Sequence, residues 1–137
     1  MQKESVRAFK NELRNYNYYL SRITTLQNSI EYLYDRLGGV RGIDPSKEPL
    51  HIVMDKDLEW RIRDRISDLD DQKKLYEVKV RYIDYILARI ENPLKTAVIS
   101  VYVEGKKCVK IADDMFLSST GLQKRMNRAI EGALDEV

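Results

Sequence analysis

Apolar side chains recur at alternating intervals of three and four residues along the first part of the chain. This heptad spacing is typical of a helix that packs against another helix. No proline or glycine lies between Gln2 and Leu37, and the pair Gly38-Gly39 follows, so the pattern predicts one long helix that ends at residue 37. The stripe comprises Val6, Phe9, Leu13, Tyr16, Leu20, Ile23, the polar Gln27, Ile30, Tyr34 and Leu37, with Tyr19, Leu26 and Leu33 on one flank.

The same spacing returns between Asp57 and Glu91 and predicts a second long helix, with Asp57 as its N-cap. Two helices with matched stripes predict an antiparallel, coiled-coil-like hairpin. We therefore expect residues 1–91 to form a helical hairpin that serves as the oligomerisation region. The second stripe comprises Ile62, Ile66, Leu69, Lys73, Tyr76, Val80, Ile83, Leu87 and Ile90.

A further apolar stripe lies on the second helix, about half a turn from the first. Its members are Leu75, Val78, Tyr82 and Tyr85. If one face of this helix meets the first helix, the other face needs its own partner, and the candidates are the C-terminal segment and a second copy of the chain. Aromatic side chains on a solvated face are the alternative interpretation, because surface tyrosines are common.

The connecting loop, residues 38–57, is long for a connector in a compact domain. It contains glycines, two prolines and a short extended piece at Leu50 to Met54. Such a loop either contacts the hairpin or a partner, or is a tolerated insertion, and we favour the second interpretation.

Residues 92–137 contain the start and stop signals of three short helices. Asn92-Pro93 supplies an N-cap and a proline at the first helical position, and Gly105 ends the first helix. The second helix spans about 107–115, and Ser118 caps the third. Three short helices in this order predict a helix-turn-helix module. The side chains predicted to be buried are Leu94, Ala97, Val98, Val101 and Tyr102, then Cys108, Ile111, Ala112 and Met115, then Leu122, Met126, Ala129, Ile130 and Ala133.

The outer face of the third helix follows from its inner face, because successive residues are about 100° apart. Carboxamides on this face match the hydrogen-bonding edge of adenine, and lysine or arginine matches guanine or phosphate. Residues 106–128 include six basic side chains and two acidic ones, a local net charge of +4 in a chain whose total is +2. The predicted DNA-binding residues are Lys106, Lys107 and Lys110 at the start of the second helix, Ser118 and Ser119 at the start of the third, and Thr120, Gln123, Lys124, Asn127 and Arg128 on its outer face.

Composition restricts the other classes of function. The one cysteine, Cys108, excludes a disulfide framework, and the one histidine, His51, has no neighbouring ligands at metal-binding spacing. No glycine-rich phosphate loop or nucleophile elbow occurs, and the adjacent Asp113-Asp114 point in divergent directions, so we expect no enzymatic activity. No run of about 18 apolar residues is present, which predicts a soluble, intracellular protein.

The stretch from Leu94 to Leu134 resembles the DNA-binding helix-turn-helix of sigma factor region 4. In that family an apolar helix is followed by Glu-Gly, Ile-Ala, a serine cap and Arg-Ala. The corresponding residues here are Glu104-Gly105, Ile111-Ala112, Ser118 and Arg128-Ala129. The layout of the whole chain, a long helical part followed by this module, resembles the RinA and ArpU group of transcriptional regulators from bacteriophages and prophages of Gram-positive bacteria.

The resemblance implies sequence-specific binding to double-stranded promoter DNA and activation of late phage genes in the cytoplasm of a bacterial host, with no cofactor. We expect a homo-oligomer that reads paired half-sites, with RNA polymerase as a possible further partner and no membrane contact. Three residues depart from the family pattern. Lys107 stands in place of a frequent serine cap, Phe116 in place of the glycine of the turn, and Gly121 lies in the first turn of the reading helix.

The main alternative is a helical adaptor without DNA binding, since a helix-turn-helix also serves in packing and protein contact. Such an adaptor would contact RNA polymerase, a sigma factor or a phage assembly component through Tyr82 and Tyr85. A small terminase subunit is a related DNA-binding alternative, although its usual order places the DNA-binding module first.

Overall fold

The structure is a computed structural model that describes residues 3–38 and 56–135. All regular secondary structure in these two ranges is helical, so the protein is all-α, as the apolar periodicity predicts. The predictions for His51 and for most of the connecting loop lie outside the described residues. The helices are α1 (Glu4–Arg14), α2 (Tyr16–Gly38), α3 (Lys56–Leu87), α4 (Leu94–Val98), a π-helical segment (Ile99–Val103), α5 (Cys108–Asp114) and α6 (Ser119–Asp135).

The predicted first helix is divided at Asn15. This residue has φ −94° and ψ 0°, and its backbone N–H is shared between the carbonyls of Asn11 and Glu12. Its side-chain amide also donates to the Asn11 carbonyl, at 3.1 Å. Asparagine competes for backbone hydrogen bonds in this way, which explains a local break that apolar spacing does not reveal. The backbone N–H of Tyr19 still donates to the Asn15 carbonyl, so α2 begins directly after α1.

The buried face of α2 differs from the predicted stripe. Tyr19 and Leu26, placed on the flank by the spacing, are buried, whereas Leu20 and Tyr34 are 40% and 49% exposed. Helix α3 ends at Leu87 rather than at Glu91. After it, the N–H groups of Arg89 and Ile90 donate to carbonyls three residues earlier, which tightens the chain before Pro93.

The chain forms two compact units. The terminal unit contains Met1–Leu20 and Val78–Val137, and the middle unit contains Ser21–Glu77. The amphipathic helix α1 therefore belongs to the same compact unit as the C-terminal helices. Its position follows from Val6, Phe9 and Leu13, which are buried in the terminal unit.

In the terminal unit, α1 contacts α6 and the π-helical segment. The salt bridge between Lys3 and Glu131 joins α1 to α6, with 2.6 Å between Nζ and Oε1. Helices α2 and α3 run antiparallel within this unit, because Tyr16 donates to Asp84 at 2.9 Å while the Lys79 ammonium lies over the Tyr19 ring. The core of this unit includes Ile83, Ile86, Val98, Leu122, Met126 and Ile130.

In the middle unit, α2 and α3 pack through five buried residues. These are Leu26, Ile30, Ile62, Ile66 and Leu69. The polar interruptions of the two stripes meet, since Lys73 Nζ donates to Gln27 Oε1 at 2.6 Å. A polar pair in an otherwise apolar seam favours one register of the two helices over others.

Candidate nucleic-acid interface

The turn between α5 and α6 is a Schellman motif. The backbone N–H of Phe116 donates to the Asp113 carbonyl at 3.1 Å, and that of Leu117 donates to the Ala112 carbonyl at 2.8 Å. This closure requires a left-handed backbone at Phe116, whose φ is +59°. The bulky residue thus adopts the geometry that glycine usually provides, and its side chain is 95% exposed.

Helix α6 begins with the predicted serine cap. Ser118 Oγ accepts a hydrogen bond from the Gly121 backbone N–H at 3.0 Å. A Cβ at residue 121 would also lie 3.0 Å from this oxygen, so the glycine leaves room for the cap. Lys107, at the N-cap of α5, makes no side-chain cap hydrogen bond, as its residue type predicts.

Most of the predicted DNA-binding side chains lie on the exposed surface, and two are half-buried. The exposed ones are Lys106, Lys107, Lys110, Ser118, Thr120, Gln123, Lys124 and Arg128. Ser119 and Asn127 are half-buried. The Asn127 amide oxygen is fully buried without a hydrogen-bond partner, so this residue does not point freely outward as the helical spacing predicts.

The basic residues differ in their surroundings. Lys106 is ion-paired with Glu104, with 3.0 Å between Nζ and Oε2. Within the described residues, Lys107, Lys110 and Lys124 form no ion pair with a carboxylate. Their charges are available to an external anion at modest desolvation cost, since the side chains are exposed.

Four residues of α1, none of them among the predicted DNA-binding residues, lie beside the proposed reading helix. A groove of about 520 Å³ brings them together with the amides of α6. The α1 residues are Arg7, Lys10, Asn11 and Arg14, and the α6 residues are Gln123 and Asn127. The basic residues at positions 7, 10 and 14 are spaced three and four apart, so the sequence contains the signal for a basic face on α1. It contains no signal that this face borders α6.

Lys10 is the most buried of these basic residues, at 6% exposure. Its ammonium lies 5.0 Å from the Tyr102 ring centroid, and the Arg14 guanidinium lies 5.5 Å from the same centroid. Burial lowers the pKa of Lys10, and the nearby Arg14 lowers it further, whereas Cys108 raises it. Burial raises the pKa of the Tyr102 phenol.

No family model matches this chain, and searches of curated proteins and of solved structures also found no match. Within residues 3–38 and 56–135, no helix is long and apolar enough to cross a membrane. The same residues contain no group of three or more histidine, cysteine, aspartate or glutamate side chains that could hold a metal ion.

Proposed function

We propose that the protein is a sequence-specific DNA-binding regulator of phage or prophage transcription, and that it activates late genes. The proposal is based on the surface formed by the outer face of α6 and the start of α5. Exposed amide and hydroxyl groups there stand next to lysines without carboxylate partners in the described chain. This is the chemistry that contacts base edges and phosphates together.

In this proposal α6 enters the major groove. Gln123 offers both a donor and an acceptor to adenine, while Lys124 and Arg128 reach guanine or phosphate. Lys107 and Lys110 contact the backbone from α5, and the N-terminal end of α6 adds backbone amides and the hydroxyl of Ser119. The base contacts select the sequence, and the phosphate contacts supply most of the affinity.

Self-association would place two such modules on paired half-sites and raise affinity without a new contact. The stripe on α3 supports this step, because its four members are 44–66% exposed. Leu75→Glu or Val78→Glu should lower the sedimentation coefficient and weaken DNA binding together. An unchanged oligomeric state would argue against this surface as the interface.

The deciding experiment is selection of bound sequences from a random duplex pool at about 150 mM salt, followed by a gel-shift comparison with a scrambled control. Recovery of a spaced, paired motif is expected. Gln123→Ala should then relax the sequence preference, whereas Lys107→Ala should weaken binding to all sequences and flatten its salt dependence. Arg81→Gln is the matched control, because it removes an exposed charge from α3. Recovery of no motif by a folded, helical protein would refute the proposal.

The exposed stripe also favours a second candidate, a helical adaptor that contacts RNA polymerase, a sigma factor or a phage assembly component. Tyr82 and Tyr85 are 44% and 51% exposed and could anchor such a partner. A salt titration separates the two candidates, since an adaptor should lack the steep linkage that counterion release gives to DNA binding.

A further inference from the structure

The groove between α1 and α6 contains a lysine in an unusual environment. Lys10 is 6% exposed, and within the described residues no carboxylate is ion-paired with it. Its identified contact is with the Tyr102 ring, where the ammonium lies 5.0 Å from the centroid. A ring face compensates only part of the cost of burying a charge. An anion in the groove would therefore meet a lysine that has no carboxylate partner within the described residues.

The surroundings of Lys10 also favour an anion in the groove. Arg7 and Arg14 line the same groove, and none of the described lining residues is acidic. The buried amide of Asn127, also in the lining, has an oxygen without a hydrogen-bond partner. The NH₂ group at the other end of this amide can donate a hydrogen bond to an anion in the groove.

We infer that this groove is a binding site for one phosphate group, held by Lys10 with Arg7 and Arg14 and by the amide of Asn127. Arginine forks suit the oxygens of a phosphate, and the Lys10 ammonium adds a point charge with three donors. The volume of about 520 Å³ admits a phosphate with part of the molecule that carries it. A carboxylate-bearing ligand would satisfy fewer of these donors.

Two sources can supply the phosphate. One is the backbone of DNA bound to α6, in which case α1 extends the interface beyond the helix-turn-helix; this source rests on the proposed function. The other is a free phosphorylated compound. Burial and Arg14 lower the pKa of Lys10, and a bound anion of either source would raise it again.

The first arm of the test uses inorganic phosphate. Thermal unfolding of the full chain is compared in 50 mM phosphate and in chloride of equal ionic strength at pH 7. We expect phosphate to raise the Tm of the wild-type protein by about 3 °C and to shift the NMR signals of the Asn127 side-chain amide. Lys10→Met should abolish both effects, because methionine keeps an unbranched apolar side chain and removes the charge.

Two further variants keep the result interpretable. Arg7→Gln alters an exposed residue at the rim of the groove and should reduce the phosphate effect even if Lys10→Met fails to fold. Arg81→Gln removes the same charge from α3 and should respond as the wild type does. An equal Tm shift in the wild type and Lys10→Met, or equal losses in Arg7→Gln and Arg81→Gln, would overturn the inference.

The second arm identifies the source. If the phosphate belongs to DNA, Lys10→Met should reduce the slope of log K against log salt by about one unit. If the slope stays unchanged while the phosphate effect depends on Lys10, the site binds a free phosphorylated compound. If the wild type binds no DNA, the proposed function fails, and the Tm and NMR results alone decide the phosphate site.

Discussion

Replacing Phe116 by glycine should stabilise the protein, although it removes a large apolar side chain. Phe116 closes the Schellman motif of α5 with φ +59°, a region in which a Cβ crowds the following carbonyl. Its ring is 95% exposed, so the substitution removes almost no buried surface. The change therefore isolates the backbone strain from side-chain packing.

The magnitude follows from two opposing contributions. A side chain in the left-handed region costs about 1–2 kcal/mol, and glycine avoids this cost. Glycine also gains conformational freedom in the unfolded chain, which offsets about 0.4–1 kcal/mol. The expected net change is an increase of about 0.5–1 kcal/mol in the free energy of unfolding, or about 3 °C in Tm.

Urea unfolding followed by circular dichroism measures the change in the free energy of global unfolding. Hydrogen exchange of the Leu117 amide measures the change in the local stability of the Schellman motif. That amide donates to the Ala112 carbonyl and so reports directly on the motif. Phe116→Ala is the control, because alanine keeps the Cβ and the strain while it removes the ring. It should lie within about 0.5 kcal/mol of the wild type. If Phe116→Gly is no more stable than Phe116→Ala, strain at this position does not limit stability.

Four further predictions test other parts of the structure by the same unfolding assay. Gly105→Ala should lower the free energy of unfolding by about 1 kcal/mol, because Gly105 has φ +73°, where a side chain is strained. A Cβ at this position meets no atom within 4 Å, so a steric clash does not contribute. An unchanged stability would mean that the turn relaxes. Gly132→Ala, in open space on α6, should instead stabilise by up to about 1 kcal/mol, and a loss would indicate an undetected contact. Gln27→Leu should cost about 1 kcal/mol by removing the acceptor that α2 offers to Lys73. Adding Lys73→Met should recover most of this loss, since the ion pairs of Lys73 with Asp70 and Glu77 contribute little; additive effects in the double-mutant cycle would contradict the coupling. Lys10→Met should raise the free energy of unfolding at neutral pH, because burial and Arg14 lower the pKa of Lys10 in the folded state. This gain in stability should shrink as the pH rises towards 10.5, where the lysine of the unfolded chain also loses its proton. A difference in stability that does not depend on pH would contradict the prediction.

Helix type and most of the inner face of α6 could be predicted because they depend on local spacing, whereas of the predicted inner face of α5 only Ala112 is buried. Leu122, Met126 and Ile130 are buried as the spacing requires, and the Ser118 cap forms as its sequence context predicts. The seam of α2 could not be predicted in the same way. A shared hydrogen bond at Asn15 divides the helix, and beyond this break Tyr19 rather than Leu20 is buried. A one-residue local event thus changes which side chains face the core.

The position of α1 could not be predicted from the sequence either, for a different reason. The basic spacing at Arg7, Lys10 and Arg14 is visible along the chain, but its neighbour in space is decided by tertiary packing. Val6, Phe9 and Leu13 pack against residues that follow more than 70 positions later in the chain. Heptad spacing is compatible with many partner surfaces, so it does not specify this one. The lining of the groove therefore depends on a long-range contact that no local pattern specifies.

Buried polar atoms without a hydrogen-bond partner occur in both units, since Arg22 Nε in the middle unit is one of them. In the middle unit, Lys73 and Gln27 satisfy each other across the seam, so packing alone accounts for the pair. In the terminal unit, Lys10 lacks a carboxylate partner within the described chain, and the Asn127 amide oxygen is unpaired. Stability favours removal of such groups, and strained or unsatisfied residues persist mainly where binding requires them. Because both residues line one groove beside α6, a single external anion would pair with the Lys10 ammonium and accept a hydrogen bond from the Asn127 NH₂ group.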